Sequence, residues 1–124
     1  MAAARILLVE DEGLIRLVTA ELLREEGFEV VEAWDGIEAA RLLDGLDGFD
    51  VLFTDVQMPG TCDGVDVAVH ARRRHPMIPV LIVSGDAAQL TRRLGRLKPP
   101  AVFIHKPYDM EEIVEALNRL TGRL

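Results

Sequence analysis

Four short apolar runs, each ending in residues able to do chemistry, constrain this chain more than any other feature. Ile6-Leu7-Leu8-Val9 leads into Glu10-Asp11, Val51-Leu52-Phe53-Thr54 into Asp55, and Val80-Leu81-Ile82-Val83 into Ser84. Ala101-Val102-Phe103-Ile104 leads through His105 into Lys106-Pro107. Runs this short, alternating with helical patterns, predict parallel strands buried on both faces. In open α/β sheets the chemistry gathers at the carboxyl ends of the strands. Residues as distant in sequence as Glu10 and Lys106 would then share one shallow cleft. Three acids, a lysine and a hydroxyl in such a cleft suit a divalent metal and a phosphoryl group.

The pattern between the runs completes five strand–helix units. A first helix is predicted from near Glu12 to before Gly27, with Leu14, Ile15, Val18 and Leu22 as its apolar stripe. Phe28-Glu-Val-Val-Glu32 mixes charge with valine and suits a sheet edge. Asp35 with Glu38, Asp86 with Gln89 and Asp109 with Glu112 have capping-box spacing at the starts of three further helices. Asp63-Gly64 opens another, which Pro76 stops. The fourth helix has a thin stripe, Leu90, Leu94 and Leu97, beside Arg92, Arg93 and Arg96. In the fifth, Met110, Ile113, Val114 and Leu117 face inward. Right-handed crossovers between parallel strands give an α/β fold, a three-layer α/β/α sandwich. The flavodoxin-like order 2-1-3-4-5 puts the charged second strand at an edge and makes Glu10-Asp11 and Asp55 neighbours.

Composition narrows the class. A chain of 124 residues, about half apolar, is expected to be one domain over residues 1–124 with its own core. The net charge of −7 opposes binding to nucleic acid or an anionic membrane. Cys62 is the only cysteine, so no internal disulfide forms, which fits a reducing compartment. The first residues lack a signal peptide's apolar region, and no apolar stretch could span a bilayer, so a cytoplasmic protein is expected.

Glu10-Asp11, Asp55-Val-Gln-Met58-Pro59-Gly60, Asp63-Gly64, Ser84 and Lys106-Pro107 together resemble the receiver domain of two-component response regulators. The resemblance runs through nearly the whole chain in the right order. It implies a phosphorelay protein, not a true enzyme, that accepts a phosphoryl group from a histidine kinase or phosphotransfer protein. Asp55 would be the phosphoacceptor and would lose the group slowly by autodephosphorylation. Mg²⁺ would be ligated by Asp11, Asp55 and the Gln57 backbone carbonyl, with Glu10 acting through a water. Lys106 and Ser84 would bind phosphoryl oxygens. Ser84 and Phe103 would form the switch, and the Lys106–Pro107 peptide would be cis. A downstream protein would be reached through the helix 4–strand 5–helix 5 face, with a homodimer left open. No output domain is expected.

Each residue also has a plainer use. Glu10 and Asp11 could cap the first helix, Asp55 and Ser84-Gly85 could form turns, and Phe103 could be ordinary core. Gln57 and Asp86 match positions that tune phosphoryl lifetime, although Asp86 reads first as a helix cap. His70, His75 and His105 read as structural or surface residues, and Arg72-Arg73-Arg74 as a solvated helix end. A Mg²⁺-dependent aspartyl phosphatase would need a second acid two residues after Asp55, where Gln57 stands. A flavodoxin would need a phosphate-cradling loop after the first strand, which is missing. Three residues, Gly60-Thr61-Cys62, separate Met58-Pro59 from Asp63-Gly64, where the family usually has two. The loop beside the acceptor is therefore expected to be longer.

Overall fold

The computed structural model describes residues 3–86, 90–95 and 97–123. Five strands and five helices alternate along the chain. The strands are β1 (Arg5–Val9), β2 (Glu29–Ala33), β3 (Val51–Asp55), β4 (Val80–Ser84) and β5 (Val102–His105). The helices are α1 (Gly13–Glu25), α2 (Gly36–Gly45), α3 (Gly64–Arg74), α4 (Leu90–Leu94) and α5 (Met110–Leu120). The sheet is parallel throughout, in the order β2-β1-β3-β4-β5. Alternation along the strands divides the core into two clusters. Ile6, Leu8, Phe53 and Leu81 pack with Leu23 of α1 and Ile113 and Leu117 of α5. Leu7, Val9, Leu52 and Ile82 pack with Leu43 of α2, Val67 of α3 and Leu90 of α4. These are the three layers expected from the sequence. No helix among the described residues is long and apolar enough to cross a membrane.

The central strands β3 and β4 are buried along their whole length, as their unbroken apolar runs require. β5 is different. It lies at the second edge, where Val102 is 37% exposed and Phe103 is half-buried. Among the described residues α4 covers Leu90–Leu94, and the Asp86–Gln89 capping pattern falls mostly outside them. The α2 cap is half a capping box. Asp35 accepts the Glu38 N–H, but the Glu38 side chain turns to Arg41. Asp63 with Asp66 and Asp109 with Glu112 form complete boxes at α3 and α5.

α1 corrects the sequence reading. Leu14, Ile15, Val18 and Leu22 face outward, Leu14 being 75% exposed, and the buried residues are Thr19, Ala20 and Leu23. The helix carries apolar side chains on more than one side, so periodicity alone does not choose between them. The face with small Thr19 and Ala20 is the one that seats closely on the sheet.

Two close approaches fix the loop after β3. A Cβ on Gly64 would stand 2.0 Å from the Asp55 carbonyl oxygen, so only glycine lets α3 start against the end of β3. The Gly64 N–H donates to the Val56 carbonyl at 2.9 Å. A Cβ on Gly36 would meet the Cys62 carbonyl oxygen at 2.2 Å, so the long loop is seated on the start of α2. Near the other end of α3, Arg72 donates to the Ile78 and Pro99 carbonyls at 2.7 and 2.6 Å and ties two loops to the helix. Gly64→Ala is expected to destabilise the protein by about 1–3 kcal/mol, the cost of overpacking a tight contact. Urea unfolding checks this, and unchanged stability would contradict the close approach.

Candidate functional site

Parallel register brings the site together. Val9 pairs with Thr54, Asp55 with Val83, and Ser84 with His105, so Glu10 follows β1 beside Asp55 and Lys106 follows β5 beside Ser84. Ladder bonds continue past the strands. Glu10 N–H donates to Ala33, Val56 N–H to Val83 and Lys106 N–H to Ser84. The Lys106–Pro107 peptide is cis, as the resemblance implied.

Asp55 is buried at 7% exposure, yet its carboxylate is fully partnered. Lys106 Nζ donates to Oδ2 at 2.5 Å, and the Gln57 backbone N–H donates to Oδ1 at 3.1 Å. Burial works against the Lys106 charge, but the hydrogen bond and charge of Asp55 outweigh it and hold the ammonium above the ordinary lysine range. Glu10 is also buried, and its pKa is pushed up to about 7. Burial is the main cause and the Asp55 charge the next; Lys106 offsets part of the rise. Glu10 Oε2 accepts the Asp11 N–H at 3.0 Å. Neither Glu10 nor Asp11 caps α1, whose N-cap residue is Glu12 and has no side-chain cap bond. That removes the plainer use of these acids.

Asp11, Gln57, Ser84 and Asp86 line an open cleft of 540 Å³. Ser84 is 2% exposed, and its hydroxyl accepts the Asp86 N–H at 3.0 Å. Its own proton is turned to the Asp86 carbonyl at 3.4 Å and would have to swing away to be donated to a group on Asp55. Phe103 lies opposite Ile82 in register, packs on the α2–α3–α4 side of the core, and meets His105 edge-on at 6.2 Å. His70 bonds Asp44 at 2.8 Å, and the His105 ring bonds the Lys106 carbonyl oxygen, so both have local roles. Burial, then Asp66, Asp63 and Asp35, push the Cys62 thiol up, which disfavours a reactive thiolate.

The metal expectation can be tested on the donor set. All the donors are hard oxygens, and the Asp55 and Asp11 charges add to the burial that raises Glu10, a crowding that a divalent cation relieves. Among the described residues no three acidic, His or Cys side chains stand gathered as a metal cluster. The expected set places only two side chains directly on the ion, Asp11 and Asp55. Mg²⁺ keeps several waters in such sites, so the residues fit.

Two features were missed in the sequence. Arg93 of α4 reaches the start of α3 and bonds Asp63 at 2.6 and 3.0 Å and Asp66 at 3.1 Å. Burial alone would raise the Asp63 carboxyl; the bonds to Arg93 and Asp66, with the Arg93 charge, together outweigh it and hold the group below its usual range. Partners 27 and 30 residues apart leave no local signal. Tyr108, half-buried, has its phenol pushed up by burial and then by Glu10 and Asp55, against Lys106. Its place two residues after Lys106 was the available clue.

Comparison with known proteins follows the same lines. The family model of the response regulator receiver domain matches residues 6–118. The chain belongs to the receiver-domain family of response regulators. It is 36% identical over 123 residues to the transcriptional regulatory protein PdtaR of Mycobacterium tuberculosis, covering 96% of this chain and 57% of PdtaR. It spans about half the length of the curated relatives it matches. Among solved structures, a response regulator receiver protein from Sinorhizobium medicae superposes with a TM-score of 0.87 at 29% identity, covering 97% of this chain and 95% of that one. The response regulator TrrA of Thermotoga maritima, solved in complex with Mg²⁺–BeF, gives 0.79 at 28% identity, covering 94% and 98%.

The raised Glu10 pKa sets a pH dependence. Between pH 4.5 and about 7 the folded receiver binds more protons than the unfolded chain, so this group's contribution to stability falls as pH rises through that window. Glu10→Gln should therefore melt higher relative to wild type at pH 8 than at pH 5 in metal-free buffer. Calorimetry across that range checks it, and a gap independent of pH would contradict the assignment.

Proposed function

We propose that this receiver accepts a phosphoryl group from the phosphohistidine of a kinase or phosphotransfer protein onto Asp55. The observation that carries the reading is the buried Asp55 carboxylate, joined to Lys106 Nζ at 2.5 Å beside the crowded Glu10. A structural aspartate at a strand end has no need of a lysine from 51 residues away. In the transfer, an Asp55 carboxylate oxygen attacks phosphorus, the P–N bond to the donor histidine breaks, and an acyl phosphate forms. Phosphoryl transfer depends on positioning and charge neutralisation more than on covalent machinery. Lys106 stays close enough to pair with a phosphoryl oxygen, and Ser84 would leave its turn with Asp86 to donate to another. Phe103, half-buried on the same side of the sheet, would repack into the space vacated.

Mg²⁺ held by Asp11, Asp55 and the Gln57 carbonyl, with Glu10 through a water, would neutralise charge on the transferring group. The Thermotoga relative, solved in complex with Mg²⁺–BeF, supports Mg²⁺ as the cation for a receiver of this fold. With Gln57 where a phosphatase keeps its second acid, turnover would be slow autodephosphorylation. Gln57 and Asp86, both on the cleft, would set its rate. The signal would pass to a downstream protein through the α4–β5–α5 face, with cytoplasmic histidine kinase signalling as the setting.

The outward apolar face of α1 supports a protein donor. Leu14, Ile15 and Val18 are exposed at the helix that starts just after Asp11. A partner helix covering them would bring its phosphohistidine to the cleft. The test is acid-labile labelling by a small phosphodonor. Labelling should require Mg²⁺ and vanish in Asp55→Asn, and undiminished labelling of that variant would overturn the assignment. Val18→Glu should keep small-donor labelling while slowing transfer from the cognate kinase by about tenfold or more, the loss of roughly one buried side chain's binding energy.

A further inference from the structure

Nearly every described arginine is committed inside the molecule, from Arg5 on Glu29 to Arg119 on Glu115. Arg72 and Arg123 bond backbone carbonyls. Among the described residues, Arg73 and Arg92 are the arginines left without such a partner, and both are exposed. They are 19 positions apart in sequence, yet they line the same groove, 480 Å³ in volume, between α3 and α4. Val65, Val69 and Arg73 succeed one another at four-residue spacing, so they share a face of α3. Buried Leu97 adds an apolar wall from beyond α4. Asp66 also lines the groove, its carboxylate taken up by Arg93, and two unpaired guanidinium groups beside that pair and over an apolar floor are unexpected in a protein of net charge −7.

We infer that the α3–α4 groove docks an acidic peptide segment of a partner protein, with carboxylates on Arg73 and Arg92 and an aliphatic side chain between them. Guanidinium forks match carboxylates bidentately. Charge complementarity decides among occupants. A polyanionic nucleic acid would meet the repulsion of the whole acidic molecule, whereas a short acidic segment meets mainly the two local cations. A flat anionic membrane does not fill a concave groove. The groove shares α4 with the α4–β5–α5 face but takes its other wall from α3. Arg93 lines both it and the cleft of Asp11 and Ser84, so an occupant would sit one side chain from the candidate site. Docking there needs no phosphoryl group, and its failure would leave the reading of Asp55 untouched.

The test is fluorescence anisotropy of the intact chain with a labelled peptide in which glutamates flank a leucine. Binding is expected, weakening with salt, with amide NMR shifts centred on Val69, Arg73 and Leu97. Arg73→Glu combined with Arg92→Glu should weaken it about tenfold or more. The double variant should still melt like wild type and gain affinity for the same peptide with lysines in place of glutamates. Equal binding of the glutamate peptide by wild type and double variant would overturn the inference. So would peptide shifts mapping elsewhere on the fold, or duplex DNA or phosphatidylserine vesicles perturbing the groove while the peptide does not. A dimer seen by sedimentation and lost in the double variant would assign the groove to a second copy and also overturn it.

Discussion

The contact between Asp55 and Lys106 is the constraint on which the rest of the site depends. Parallel pairing drives the ends of β1 and β3 together and leaves Glu10 and Asp55 partly out of water with like charges facing each other. An uncompensated buried carboxylate is costly, and an ion pair in the interior repays its desolvation only with good geometry. Lys106 meets that condition because its ammonium, carried just past the end of β5, bonds Oδ2, while the Gln57 N–H satisfies Oδ1. Lys106 remains over a third exposed at its side chain, so it can follow a new anion without being stranded. Glu10 is the group left under strain, its pKa held up by burial first and by the Asp55 charge next.

Much of this architecture was legible in the residues. Strand ends carrying Glu10, Asp11, Asp55, Ser84 and Lys106 imposed one cleft as soon as the strands were parallel, and the order of the sheet followed from the charged β2 and the central apolar runs. The outward face of α1 was not legible, because apolar residues lie on several sides of that helix. Choosing between the large Leu14–Val18 side and the small Thr19–Ala20 side depends on how closely the helix can approach the sheet. The end of α4 at Leu94 was equally hidden, since Leu90, Leu94 and Leu97 have the right spacing for a helix that continues to Leu97. The Arg93 clamp pairs residues with no local relation, and only the fold reveals it.

The loop between Asp55 and α3 links the site to its surroundings. Gly64 presses α3 onto the Asp55 carbonyl, Cys62 rests on Gly36, and Arg93 holds Asp63 and Asp66 from α4. A change in charge at Asp55 is therefore felt within one residue of an element that α4 grips. The same ion pair separates the cleft from the groove of Arg73 and Arg92. Packed elements of this kind respond by moving between discrete arrangements, and a ligand shifts them only by its differential affinity for each.

The central claim, that Lys106 is held by Asp55 and by little else, is tested most directly by nitrogen NMR of the Lys106 ammonium. The account predicts a slowly exchanging signal in the wild-type protein that shifts sharply in Asp55→Asn and stays nearly unchanged in Asp11→Asn. A Lys106 signal indifferent to Asp55→Asn would contradict it.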